Sequence, residues 1–269
     1  MDFITEWIGN IFNNFSWVTT QITDNVTKTP ADIFGGDFWK SLLKIGMSVV
    51  MPFAITILCY CMAEELYHVY CKSNGGLDIE LVSTTFVKFI LPFVLIMKTY
   101  DLLQLIFTAI NNVVSKINTA VVMGTGNAID TTAWTQQISQ MGFMQKIGIM
   151  IQLWGPWIGI KLMSVLITVI VYGRIFEIVF YWIFAPIPMA MLISEDFSSV
   201  GKNFIKMFCA LVLQGGFMVL AVALYLMLIK SVTIQVSVAG CFEMLGYWGV
   251  LMFSLVKSGS LSKRLFGTF

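Results

Sequence analysis

The sequence predicts an all-α, polytopic membrane protein with about five transmembrane helices and an N-terminal amphipathic helix. Three observations predict it. Of the 269 residues, 58% are hydrophobic and only 12% charged, with a mean hydropathy of +0.84; a soluble domain carries about 25% charged residues. Apolar runs long enough to cross the roughly 30 Å hydrocarbon layer recur along the chain, separated by polar turns. And near the start the apolar residues fall on a helical stripe instead of filling a run. The net charge of +1 points to no partner by itself; the placement of the few charges matters more.

The stripe is Ile4, Ile8, Ile11, Phe15, Val18 and Ile22, whose spacings alternate between four and three. Such spacing lines one face of a helix. The opposite face is Asn, Thr, Gln and Ser with no basic row, which disfavours an anionic-lipid surface helix and favours packing against other helices or against copies of itself. Residues 1–40 form this N-terminal segment, expected outside the cytoplasm. They lack the basic start, apolar core and small-residue cleavage site of a secretory signal. Thr27–Asp37, with Pro30 and the Gly35–Gly36 pair, reads as a connecting turn.

Residues 41–257 form the membrane domain. Ser41–Ala63 is the first expected span, with Pro52 placed to kink it. Thr85–Ile110 is the second, carrying Pro92, Lys98 and Asp101. Asn111–Lys146 is a polar stretch read as a short helix and a loop. From Ile147 the chain is apolar nearly to Ser194, roughly 70 Å as one helix and too long for one crossing. Trp154–Trp157 (WGPW) is expected to break it, leaving an interfacial helix before Trp154 and a span from Trp157 to Phe184. Ala185–Pro188 (APIP) ends that span. A hairpin at Tyr172–Arg174, giving six spans in all, is the alternative. Phe204–Ile229 and a shorter Cys241–Val256 complete the five. The tail, residues 258–269, carries Lys263 and Arg264 and follows Lys257 with no acid, so the positive-inside rule places it in the cytoplasm. Counting back through five spans puts the N-terminus outside.

Catalysis finds little support. The five cysteines follow no disulfide or zinc spacing, there is one histidine, and no phosphate-binding loop or nucleophile with an evident base is present. Glu64, His68 and Cys71 share a helical face, which suits a metal, but the plainer reading is the wet end of the first span. No enzyme activity, cofactor or metal is expected. The intramembrane charges are the stronger signal. Lys98 with Asp101, and Arg174 with Glu177, sit three residues apart within apolar runs, and Lys161 lies nearer an end. Ionised groups there are costly alone. They either hold helices together or line a wet path. Pro186 and Pro188 are candidate hinges.

Three stretches then carry a resemblance: VIVYGRIFEIVFYWIFAPIPMAMLISED from Val169, GKNFIKMFCALVLQGGFMVLAVALY from Gly201, and LMFSLVKSGSLSKRLFG from Leu251. Between Trp157 and Phe269 the chain resembles the TrbL-type (VirB-like) polytopic subunit of type IV secretion systems, in the short form of Gram-positive conjugative elements. The resemblance implies a homo-oligomer in the cytoplasmic membrane with an outside N-terminus. It implies partners among the other secretion membrane subunits, the secretion ATPases and the coupling protein, in contact with lipid and bordering the path of transferred single-stranded DNA. A small-solute or ion channel using the charge pairs is the alternative function, and a membrane-inserted toxin or immunity factor a third.

Overall fold

The structure is a computed structural model and describes residues 20–72, 79–125, 142–192, 194, 196–231 and 238–268. Every regular element among them is helical. Residues 20–26 form α1. There follow α2 (Pro30–Phe34), α3 (Gly36–Ile45), a π-helical turn (Gly46–Val50), α4 (Met51–Lys72), α5 (Ile79–Met97) and α6 (Thr99–Thr125). The remainder comprises α7 (Phe143–Phe184), α8 (Pro186–Ala190), α9 (Ser198–Ser231) and α10 (Val238–Leu265).

Among the described residues, three stretches are long and apolar enough to cross a membrane: Gly36–Lys72, Trp157–Phe184 and Ser198–Ile229. Val82–Met97 and Thr99–Ala120, bent by 65° at their junction, make a fourth when taken as one broken span. The chain is thus an all-α, multi-pass membrane protein, with three or four such helices among the described residues. The expected fifth, Cys241–Val256, falls on α10. There Glu243, Lys257 and recurrent Gly and Ser dilute the apolar side chains. The helix also continues to Leu265, so most of the expected tail is helical.

Prolines act differently from one site to the next. Pro52 has no N–H to give the Ser48 carbonyl, and the helix answers with the π turn before it, where the Met51 N–H reaches back to Gly46. Pro92 leaves α5 unbroken. The corner falls at Lys98 instead. There the Thr99 hydroxyl donates to the Leu95 carbonyl at 2.7 Å, a side-chain bond that competes with the backbone ladder and bends helices. The Lys98 N–H to Val94 and the Leu102 N–H to Lys98 bonds, both 2.9 Å, carry the chain round the bend.

The expected break at WGPW is not one. α7 stays helical for 42 residues from Phe143, a length of about 63 Å. One proline removes one ladder bond, and the flanking turns hold. The helix also passes without a turn through Tyr172–Arg174, which excludes the hairpin. The end at APIP is as expected: the Ala185 N–H tightens to Trp182 at 3.4 Å, and Pro186 opens α8, a position that needs no N–H. In the polar stretch after Asn111, α6 runs to Thr125; residues 126–141 lie outside the described residues.

The chain sorts into two compact units, residues 1–27, 112–174 and 213–262, and residues 28–111, 175–212 and 263–269. In the second unit Trp182 is the centre. Its ring lies 5.3 Å from Trp39, 5.4 Å from Phe107 and 5.7 Å from Phe208, near edge-on with Trp39 and Phe208, the geometry aromatic quadrupoles favour. In the same unit, Met189 and Ala190 of α8 pack with Ala54, Leu58 and Cys61 of α4 and Phe89 and Ile96 of α5. The outer face of α5, including Phe86, Val87, Ile90 and Leu91, is exposed, as a lipid-facing helix requires. The second unit begins with a capping box. The Asp32 carboxylate accepts the Thr29 N–H (2.9 Å) and hydroxyl (2.6 Å), while the Thr29 hydroxyl oxygen accepts the Asp32 N–H (3.2 Å). The hydrogen bonds from the Thr29 side chain and backbone hold the Asp32 carboxyl below its ordinary pKa.

Candidate functional site

Among the described residues of the first unit, the buried charge is Arg174. It sits on α7 with 4% of its surface exposed, and its Nη1 donates to the carbonyl of Val26 at 3.5 Å. That carbonyl ends α1. The residue four positions on is Pro30, which has no N–H to offer it. A cation at a helix C-terminus also meets the negative end of the helix dipole. A second α1 carbonyl, that of Thr23, accepts from Asn118 Nδ2 of α6 at 3.1 Å. Apolar anchorage joins the polar caps, since Ile22 and Val26 are both enclosed. Two side chains from membrane helices therefore cap the end of the N-terminal segment.

Gly215 on α9 makes room for this. A Cβ placed there would lie 2.7 Å from Arg174 Nη2 and 2.8 Å from Val26 Cγ1, closer than side chains tolerate. Its neighbour Gln214 is buried and donates from Nε2 to the Ser258 hydroxyl of α10 at 3.4 Å. Ser258 in turn donates to the Leu255 carbonyl at 2.6 Å. Polar contacts thus join α1 to α7 and α9 to α10, and the close approach at Gly215 brings α9 against Arg174 and Val26.

The other sequence-derived residues are placed as follows. Glu177 is exposed on α7, so three residues from Arg174 the helix presents a different environment. Lys161, on the same helix, is also exposed. Lys98 Nζ lies 3.1 Å from Asp101 Oδ2, with side chains 69% and 74% exposed at the corner between α5 and α6. Pro186 is buried and Pro188 half-buried. Of the stripe, Ile22 is fully enclosed in its own chain. Ile4, Ile8, Ile11, Phe15 and Val18 lie outside the described residues. His68 faces Asp196, with Nε2 to Oδ2 at 3.5 Å, and Cys71 is exposed.

The sequence did not point to the Val26 carbonyl, Asn118 or Ser258. Gly215–Gly216 within an apolar helix was the available sign, because paired glycines mark a close approach.

No curated protein and no solved structure matches the chain. The family model described as "TrbL/VirB6 plasmid conjugal transfer like protein" matches residues 17–186. The match takes in Arg174, Glu177 and the span that ends at Phe184, and stops at Pro186, so of the three stretches that carry the resemblance it covers most of the first and neither of those from Gly201 and Leu251. It also reaches upstream over α1 to α6, which the resemblance had not covered. Since it spans more than half of the chain, the chain belongs to the TrbL/VirB6 plasmid conjugal transfer-like family.

Proposed function

We propose that this protein is a non-enzymatic membrane subunit of a conjugative type IV secretion machine, working as a homo-oligomer that borders the path of the DNA–protein substrate across the cytoplasmic membrane. One observation carries the reading. Lys98 and Asp101 form an ion pair at the corner of a broken span, yet both side chains are exposed on the single chain. A charged side chain in hydrocarbon costs about 2.5–3.5 kcal/mol on insertion scales. Water in a transfer path or the surface of a neighbouring copy removes that cost. Broken helices at membrane depth are tolerated where they meet protein or a wet cavity. In this reading residues 1–40 lie outside, 41–257 form the membrane domain and 258–269 face the cytoplasm, where the secretion ATPases and coupling protein are reached. The ion-relay alternative has less to rest on, because Arg174 is committed to capping α1.

The test replaces both charges, Lys98→Leu with Asp101→Leu, and measures plasmid transfer between cells. Transfer is expected to fall at least about tenfold at unchanged membrane levels, since a shared polar contact is lost. Normal transfer by the apolar double variant overturns the reading. Photoreactive residues placed along Trp157–Phe184 add a direct readout: adducts with the transferring strand are expected, and a strand that crosses without any adduct removes the path from this subunit.

A further inference from the structure

We propose that Glu64, His68 and Asp196 form a binding site for a divalent transition-metal ion of the zinc type, clipping the end of α4 to the turn that enters α9. Glu64 and His68 are spaced i, i+4 on α4, so both side chains leave one face near its C-terminal end. Asp196 comes from the turn just before Ser198. One ligand atom from each lies within 4.8 Å of the others. All three belong to the second unit.

Two further observations point to an ion. Oε2 of Glu64 is buried with no hydrogen-bond partner. A carboxylate oxygen in that position forfeits its hydration for nothing, and a cation supplies the missing partner. The 3.5 Å between His68 Nε2 and Asp196 Oδ2 is long for a charged hydrogen bond. It matches the edge of a tetrahedron around an ion with ligand bonds near 2.0–2.2 Å, about 3.4 Å. The donor set selects the metal class: one imidazole excludes a purely oxygen-seeking ion, and two carboxylates disfavour a soft one. The His68 and Asp196 side chains are about half exposed, which leaves an entry path and a position for water as fourth ligand. Cys71, on the same helix face, stays outside the set.

The experiment uses the full chain in detergent, purified without a histidine tag, stripped with chelator and titrated with zinc chloride against a chromogenic competitor. One zinc per chain is expected, with a rise in melting temperature. His68→Ala and Asp196→Asn are each expected to weaken binding more than about 100-fold, beyond the loss outer-sphere changes cause. Cys71→Ser should change nothing, and cobalt substitution should give visible bands without thiolate charge transfer. Asp196→Asn lies on an exposed turn, so it keeps the test independent of any folding defect in the helix variant. Wild-type binding no tighter than either variant, or binding lost in Cys71→Ser, overturns the site.

Discussion

Arg174 reaches past Gly215 to the carbonyl of Val26, with its guanidinium carbon 2.9 Å from where a Cβ at 215 would stand. A methyl there must displace either the guanidinium or the end of α1. Gly215→Ala is therefore expected to destabilise the protein by about 1–3 kcal/mol, as overpacking does. Loosening of α1 should appear as faster proteolysis near Val26. Gly216→Ala is the control: its nearest neighbour, Val114 Cγ2, is 3.5 Å away, an ordinary contact. Alanine gains about 1 kcal/mol over glycine in a helix, so that variant should be neutral or slightly stabilising in a detergent melt.

Gly46, in the π turn, faces the Tyr100 hydroxyl, which donates to the Ile183 carbonyl at 3.3 Å. A side chain at 46 would collide with that hydroxyl. Tyr100→Phe should cost about 0.5–1.5 kcal/mol through the lost bond, and Gly46→Ala more. The pair together should cost less than the sum, because removing the hydroxyl opens the space the methyl needs. A double-mutant cycle in thermal unfolding measures this coupling; strict additivity would mean that the ring moves aside freely.

Gly201, on the first turn of α9, is more constrained. A Cβ would lie 2.7 Å from the Pro188 carbonyl oxygen and 2.9 Å from Leu192 Cα. These are backbone atoms and cannot rotate away. Gly201→Ala should cost about 3 kcal/mol, the upper end of overpacking, and lower the amount of folded protein in the membrane. Quantitative blotting against a protein such as Gly173→Ala, where nothing lies within 4 Å, separates this from a general glycine effect.

The Thr29–Asp32 box gives a pH dependence with a definite sign. The folded pKa of Asp32 is below its ordinary 3.8. The box therefore contributes fully above that value, and its contribution fades as pH falls through the folded pKa. Thr29→Ala should cost about 0.5–2 kcal/mol at neutral pH, the usual loss for a cap. The gap from the parent protein should narrow as pH falls below 3.8, leaving the part due to the Asp32 N–H bond to the Thr29 hydroxyl, which does not titrate. Denaturation curves of the two proteins across that range check it.

The end of the span Trp157–Phe184 was legible because a proline doublet bounds it, whereas at its start the helix runs on through the tryptophans that were expected to break it. Length and hydropathy need no tertiary partner. The corner at Lys98 was not legible. Proline was the visible breaker at 92, whereas the bend follows a threonine hydroxyl bonding back to Leu95. α10 runs well beyond the sixteen-residue apolar stretch Cys241–Val256, into residues rich in Gly, Ser and charge. Arg174 shows the limit for the site. Sequence offers only local partners, and Glu177 was the obvious one. The carbonyl it meets lies 148 positions away, a backbone atom that no side-chain pattern announces.

The ring cluster around Trp182 bears on how the chain is made. Trp39 and Phe107 enter the membrane long before the indole they contact, and Phe208 arrives after it. This core cannot close until α9 has left the ribosome. Through most of synthesis the earlier helices must sit in lipid, or in the insertion machinery, with their aromatic faces uncovered. Nascent chains arrested before Phe208 should therefore be the ones that membrane quality-control proteases remove.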